Sequence, residues 1–339
     1  MKKEKDMIAF YPYYVQGNSY VQNMISVWSK KYTVIAFNNH NISTGKIRKC
    51  KAIILNWYEN DLNIYQYMQL LKCKLYGIKI LQVFHNRIPH NSKNSIAAWI
   101  KMKSVLLLSN TILLHSKNSR ACLKQYGRNE VRKAVYVPHI NYCGDFEYTE
   151  VDYREELGLK SDDFVFMFFG FMAPHKNIEL LIQVFNEWNI DNAKLLIVGS
   201  PSNKQYVKKI KESCLHRNII IHGKYIPNSE VYAYFNTCDV VVMPYQKESY
   251  INSGVMINAF SCGKTVIVPD IPMAKDMSRL CHVYHYRHEA EHKQALMNTV
   301  KQCYNLGRNK NYKMGEMARQ YVIRNNSEEK VLYCIKNLV

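Results

Sequence analysis

The sequence predicts a two-domain α/β protein, each domain a doubly wound, mostly parallel sheet with helices on both faces. Three observations carry this. The chain has 339 residues, more than one ordinary core accommodates and enough for two domains of about 150 each. Short β-like runs alternate with amphipathic helical stretches, the pattern of parallel strands joined by crossover helices. The alternation occurs twice, in series parted by the polar, acidic stretch 145–163.

In the first series, strands are expected at 7–11, 32–37, 52–56, 79–84, 111–115 and 134–137. Helices are expected there at 21–30, 63–76, 95–109 and 116–126. After a linker and first helix at 145–163, the second series places strands at 164–169, 194–198, 219–222, 240–244 and 265–268. Its helices fall at 176–188, 203–214, 229–236, 255–262 and 288–306, and a last one at 327–338. The implied domains are 1–145 and 146–326, with 327–339 a terminal helix whose packing partner is open. Ligands are expected at the carboxyl ends of the strands, in a cleft the domains share.

Apolar residues make up 47% of the chain and charged residues 22%, the composition of a folded globular protein. No two of the 10 cysteines fall at C-x-x-C spacing, and several lie in apolar runs. Neither a zinc site nor a disulfide framework is supported. The basic start leads only into Met7-Ile8-Ala9-Phe10, too short for a signal core, and no apolar stretch approaches the roughly 20 residues that span a bilayer. The expected location is cytoplasmic.

The net charge of +19 is unevenly placed: residues 1–145 hold 22 Lys and Arg against 6 Asp and Glu, a net of +16. Such a half implies an anionic partner, and nucleic acid, anionic lipid and a phosphate-bearing substrate all fit. No helix-turn-helix, zinc or aromatic RNA-binding pattern supports nucleic acid. The segment 95–108 mixes an apolar face with Trp99, Lys101 and Lys103. It reads either as a buried crossover helix or as a helix lying on an anionic membrane face.

The second half carries the sharpest chemistry. Gly170-Phe171-Met172-Ala173-Pro174-His175-Lys176 joins a strand to a helix, so Lys176 is expected at a helix amino end, where backbone N–H groups also favour an anion. A solvated first-turn lysine is the plainer reading. Ser253 has the character of an N-cap, and Gly254 lets a ligand approach the backbone closely. The N–H groups of Gly254 and Val255 would form a second anion cradle, and Asn258 stands one turn further in. Singly, each of these also fits an ordinary capped helix.

In order and spacing they resemble the GT-B glycosyltransferases of the large retaining family often called family 4, or group 1. The match runs through Gly170, Lys176, Leu180-Leu181-Ile182-Gln183-Val184-Phe185 and Leu195-Leu196-Ile197-Val198-Gly199. It continues through Asp239 to Pro244 and through Asn258-Ala259-Phe260-Ser261-Cys262-Gly263-Lys264-Thr265-Val266-Ile267. Closest over 164–270, it extends loosely to the whole chain. In the first half, Gln82-Val83-Phe84-His85-Asn86-Arg87-Ile88-Pro89-His90, His115-Ser116 and Pro138-His139-Ile140-Asn141-Tyr142 are similar to segments of exopolysaccharide and capsule-type enzymes.

The resemblance implies a GT-B fold, two Rossmann-like domains facing a cleft, and a hexosyltransferase using a nucleoside-diphosphate sugar. It places the diphosphate at Gly170, Lys176, Ser253, Gly254 and Val255, approached by Gly17 and Asn18, the ribose at Asn258 and the base near Tyr225. His85 would contact the transferred sugar, with Asn86, Arg87 and His90 on the acceptor side. The acceptor implied is a glycan or lipid-linked sugar in surface polysaccharide synthesis, with retention at the anomeric carbon. No D-x-D segment is present, so no metal or other cofactor is expected.

The sequence also departs from that pattern. The two carboxylates of the family's E-x7-E fall on Tyr250 and Asn258, and the usual Arg after the glycine is Phe171. Glu248 stands two residues from the first position, where a loop shift would let it substitute as the catalytic carboxylate. The alternative is a non-catalytic sugar-nucleotide or glycan-binding protein of the same fold. His282, His285, His288 and His292 cluster in sequence, but their spacing does not place them together as metal ligands.

Overall fold

The computed structural model describes residues 5–38, 41, 45–87, 95–248 and 250–339. The chain divides into two compact units, the first comprising 1–140, 248–252 and 325–339, the second 141–247 and 253–324.

The first unit is built on β1 (Met7–Tyr11), α1 (Ser19–Ser29), β2 (Thr33–Ala36), β3 (Cys50–Asn56), α2 (Tyr58–Asp61), α3 (Ile64–Leu75), β4 (Lys79–Val83), α4 (Ser95–Leu108), β5 (Thr111–Leu114), α5 (Arg128–Arg132) and β6 (Ala134–Tyr136). Its strands form one parallel sheet in the order β2-β1-β3-β4-β5-β6. The interior strands read as nearly unbroken apolar runs because helices cover both faces: Ile8, Ala9, Phe10, Ile53, Ile54, Leu55, Ile80 and Leu81 are all buried. The chain winds to one side of β1 and then to the other, so the topological switch point lies between β1 and β3, next to Tyr11 and Asn56.

The second unit contains β7 (Phe164–Phe169), α6 (Ile178–Trp188), β8 (Ala193–Val198), α7 (Lys204–Glu212), β9 (Ile219–His222), α8 (Asn228–Thr237), β10 (Val240–Val242), α9 (Gly254–Ser261), β11 (Val266–Pro269), α10 (Pro272–Asp276), β12 (His282–Tyr284), α11 (Glu289–Leu306) and α12 (Arg308–Asn325). Its parallel sheet runs β12-β11-β10-β7-β8-β9, which puts the switch point between β7 and β10. Phe166, Phe168, Phe185, Phe235 and Phe260 fill its core.

Some sequence expectations change. The stretch 145–163 forms turns and extended chain, with no helix; Gly158 sits at φ +66° within it. Residues 118–125 make a 3-10 helix where an α-helix was expected. The strand β12 and the helix α12 were not anticipated. The terminal helix α13 (Glu328–Ile335) belongs to the first unit and packs on α1: Glu328 pairs with Lys30 at 2.6 Å, and Asn326 donates to the carbonyl of His139 at 2.6 Å. The helix α4 buries Ala98, Met102, Val105 and Leu106, and Trp99 stacks on Tyr126 with centroids 5.7 Å apart. Its tryptophan thus faces inward.

Candidate active site

In each unit the expected residues collect at the carboxyl ends of parallel strands. In the first, β3 delivers Asn56 and Trp57, β4 delivers His85 and Asn86, β5 delivers His115, and β6 leads to His139. Tyr20, from the first turn of α1, stands among the three imidazoles with ring centroids 5.2 Å from His85, 5.4 Å from His115 and 5.0 Å from His139. Gly17, at φ +69°, turns the chain into α1, and Asn18 takes the N-cap position without a side-chain cap bond.

Hydrogen bonds tie this group together. His85 Nε2 lies 2.9 Å from Asn56 Oδ1, and the Asn56 amide nitrogen donates to the carbonyl of Tyr11 at 3.0 Å. The Tyr20 hydroxyl lies 2.8 Å from His115 Nε2, while His115 Nδ1 faces the Val137 carbonyl at 2.9 Å. Trp57 stacks on His85, 4.1 Å between centroids and 18° between planes. Burial pushes the pKa of all three histidines down, to about 4 for His115 and about 3 for His139, and His85 is driven well below its ordinary value by burial, His115 and His139. They are neutral at physiological pH.

Asn86 is buried and forms an antiparallel bridge with Tyr250. The segment 248–252 therefore belongs to the first unit, where Ile251 packs into the cluster of Phe84, Met102 and Leu106. Glu248 is exposed at the start of that segment. Arg87 is exposed too, and its carbonyl accepts from the Tyr126 hydroxyl at 2.6 Å. His90 lies outside the described residues.

In the second unit, Gly170 ends β7 with φ +113°, and a Cβ there would stand 3.5 Å from Val255 Cγ2 and 3.8 Å from Lys176 Nζ. Gly170, Lys176 and Val255 thus meet at the β7–β10 switch point. The Lys176 ammonium lies over the rings of Tyr245 at 5.2 Å and Phe168 at 5.9 Å. Lys176 is not in a helix, as expected from sequence, but in the 3-10 turn Pro174–Lys176; the left-handed Asn177, φ +53°, separates that turn from α6. Ser253 occupies the N-cap position of α9, yet its side chain makes no cap hydrogen bond. The first-turn N–H groups of Gly254 and Val255 therefore have no lid from that hydroxyl.

Tyr225 follows β9 and is 55% exposed, beside the Lys224–Glu230 ion pair at 3.5 Å. Asn258 lies in the second turn of α9, half-buried, with Oδ1 3.7 Å from Cys262 Sγ. The histidines of the β12 region go separate ways. His282 bonds Asn311 at 2.8 Å, His285 faces Asp270 at 3.3 Å, and His292 is buried against the Tyr284 hydroxyl at 2.9 Å. Among the described residues no three His, Cys, Asp or Glu stand where they would hold a metal ion. Sequence reasoning missed Asn56 and Trp57, because an asparagine and a tryptophan at a strand end carry no pattern of their own.

The family model for glycosyl transferases group 1 matches residues 150–321. The chain belongs to that family. Among its relatives, a GDP-mannose:glycolipid 4-beta-D-mannosyltransferase of Xanthomonas campestris pv. campestris is 27% identical over 205 residues, 59% of this chain and 52% of that protein. A lipopolysaccharide 1,2-N-acetylglucosaminetransferase of Salmonella typhimurium is 27% identical over 124 residues, 34% of this chain and 32% of that one. The chain thus spans about half of the first relative's length and about a third of the second's.

Solved structures agree on the GT-B fold. Anabaena HepE, determined in complex with UDP and glucose, matches with a TM-score of 0.73 at 13% identity over 99% of each chain. A sucrose-phosphate synthase from Thermosynechococcus elongatus matches at 0.77 and 14% identity over 99% of this chain and 98% of that one.

Proposed function

We propose that this group 1 family member is a glycosyltransferase. It moves a hexosyl group from a nucleoside-diphosphate sugar to a glycan or lipid-linked acceptor in surface polysaccharide synthesis, with retention at the anomeric carbon. The observation that carries this is the convergence of Gly170, Lys176 and Val255 at the β7–β10 switch point. A lysine beside a bare glycine and an uncapped helix amino end is a cradle for a diphosphate. The departing diphosphate would be stabilised there by groups already in place, with no reorganisation at the moment of reaction.

On this reading Tyr225 lies against the base and Asn258 against the ribose. Leaving-group charge is offset without a bound cation, so EDTA leaves the rate unchanged. His85, held among buried aromatic rings, contacts the transferred sugar.

The experiment is a thermal-shift screen against UDP, GDP, ADP, dTDP, CMP and their sugar conjugates. A ligand that binds only the folded state raises the midpoint by mass action. A shift with one diphosphate names the base. No shift with any of them removes the donor site and with it the transferase reading. Product from an α-linked donor, followed by NMR of its anomeric proton, tests retention.

We also propose that the first unit works against an anionic membrane face. In support, Ile96, Ile100 and Leu107 are exposed on the outer side of α4, and Ile64, Met68 and Leu75 are exposed on the neighbouring α3. Both helices lie in the strongly basic half of the chain. No helix among the described residues is long and apolar enough to cross a membrane. Failure to bind phosphatidylglycerol vesicles at low salt would remove this proposal.

A further inference from the structure

We infer that Asn56 is a positioning residue. It holds His85 in the tautomer protonated on Nε2 and so presents the Nδ1 lone pair as an acceptor for a hydroxyl of the sugar being transferred. The first half of this follows from hydrogen-bond logic alone; the second rests on the transferase reading above.

The Tyr11 carbonyl can only accept, so the Asn56 group facing it at 3.0 Å is the amide nitrogen. That turns Oδ1 toward His85. An amide oxygen can only accept as well, so His85 Nε2, 2.9 Å away, carries the proton. A neutral imidazole has one donor and one acceptor, which leaves the lone pair on Nδ1.

Among the described residues the Tyr20 hydroxyl, at 3.3 Å, also approaches Asn56 Oδ1, but its proton has a better destination. His115 Nδ1 must be protonated, because its partner at 2.9 Å is the Val137 carbonyl. A neutral His115 therefore offers its Nε2 lone pair, and Tyr20 donates to it at 2.8 Å. The ring plane of His85 is fixed separately by the Trp57 stack. Trp57 holds the left-handed conformation, φ +52°, uncommon for a bulky residue and the kind of local strain that accumulates at working sites. The titratable groups beside His85 are Tyr20 of α1 at 5.2 Å and His115 after β5 at 5.6 Å between ring centroids; His139 after β6 packs on His115 at 5.0 Å and acts on His85 through its charge. Burial keeps all three imidazoles uncharged, with neighbouring imidazoles adding to it for His85 and His139.

The test reads the ring directly. Histidine-selective 15N spectra are recorded on the full chain without ligand between pH 5 and 8, with His85 assigned by the signal lost in His85→Gln. Wild type should show His85 neutral with the proton on Nε2. In Asn56→Ala the two tautomers should mix. In Asn56→Asp the carboxylate should draw His85 toward imidazolium, moving its titration up in pH. With the donor found by the nucleotide screen, Asn56→Ala should lower kcat roughly 10-fold or more while KM stays within about 2-fold. The acid limb of the Asn56→Asp rate profile should follow the shifted titration.

An Nδ1-protonated His85 in wild type overturns the proposal, and so does an Asn56→Asp whose His85 titrates as before. A tautomer that moves in Asn56→Ala while kcat does not removes the positioning role and leaves the transferase reading intact. If wild type transfers from no nucleotide sugar, that reading fails, and the spectra still decide which nitrogen carries the proton.

Discussion

Gly199 is packed against Gly170 so closely that a Cβ on Gly199 would stand 2.0 Å from the Gly170 carbonyl oxygen. The two glycines end the adjacent strands β7 and β8, and both hold positive φ, +113° and +141°. Gly199→Ala should therefore displace the Gly170 turn as well as strain its own backbone. The expected result is loss of nucleotide binding together with a fall of several degrees in the thermal midpoint. Gly170→Ala meets only ordinary contacts, at 3.5 and 3.8 Å, and should weaken binding with less loss of stability, its φ strain aside. A Gly199→Ala protein that binds nucleotide like wild type would show that this close approach does not shape the site.

Lys176 gives the sharpest functional prediction. Its ammonium sits beside Gly170 and over the rings of Tyr245 and Phe168, and it makes no ion pair among the described contacts. Lys176→Ala should lower the transfer rate by roughly 10²–10³ if it stabilises the leaving diphosphate, with the thermal midpoint little changed. Lys176→Arg should recover part of the rate. An unchanged rate in Lys176→Ala would take this residue out of the site.

How legible these features were depended on whether burial and hydrophobicity coincide. The strands β1 and β7 lie where the apolar runs placed them, because strands buried on both faces announce themselves. The helix α12 did not: it buries Asn311, Gly315, Ala318 and Val322, a helical spacing half of which is written in residues that do not read as core. Asn311 is buried because it bonds His282 and both Cys303 and Gly307 carbonyls. Gly315 is buried because a Cβ there would come within 2.1 Å of the Gly263 carbonyl. The short β12, ringed by His282, His285 and Arg287, was hidden in the same way. In the site, motif residues were legible by resemblance, whereas Asn56 and Trp57 act through geometry that a linear sequence does not display.

The terminal helix α13 separates two kinds of contact. Ile335 and Val331 are fully buried, and Ile335→Ala should cost about 2–5 kcal/mol by removing packed side chain and leaving a cavity. The Lys30–Glu328 pair, 2.6 Å long, has both side chains more than a third exposed, so Glu328→Ala should cost less than about 1 kcal/mol. Urea unfolding of the two variants checks the contrast. Equal losses would mean that the helix is held by its charges rather than by its apolar face.

Glu59 predicts a pH dependence of stability that its own substitution isolates. Its side chain is fully buried, one oxygen bonded to Gln82 at 3.0 Å and the other without a partner among the described residues. Burial pushes its pKa up from 4.5 to about 7, against the lowering effect of its own backbone N–H and of Gln82. Between those two values the folded chain holds a proton that the unfolded chain has released. Stability from this group therefore falls as pH rises from about 4.5 to 7, by on the order of 3 kcal/mol, and stays lost above that. The buried histidines pull the other way, since their folded pKa values lie below the ordinary 6.5 and acid must charge them on unfolding. The net profile of wild type thus mixes both, but the difference between wild type and Glu59→Gln contains Glu59 alone. Urea unfolding at pH 5 and pH 8 should find Glu59→Gln more stable than wild type at pH 8, with the gap narrowing or closing at pH 5. A gap that does not change with pH would mean that Glu59 is ionised in the fold at both.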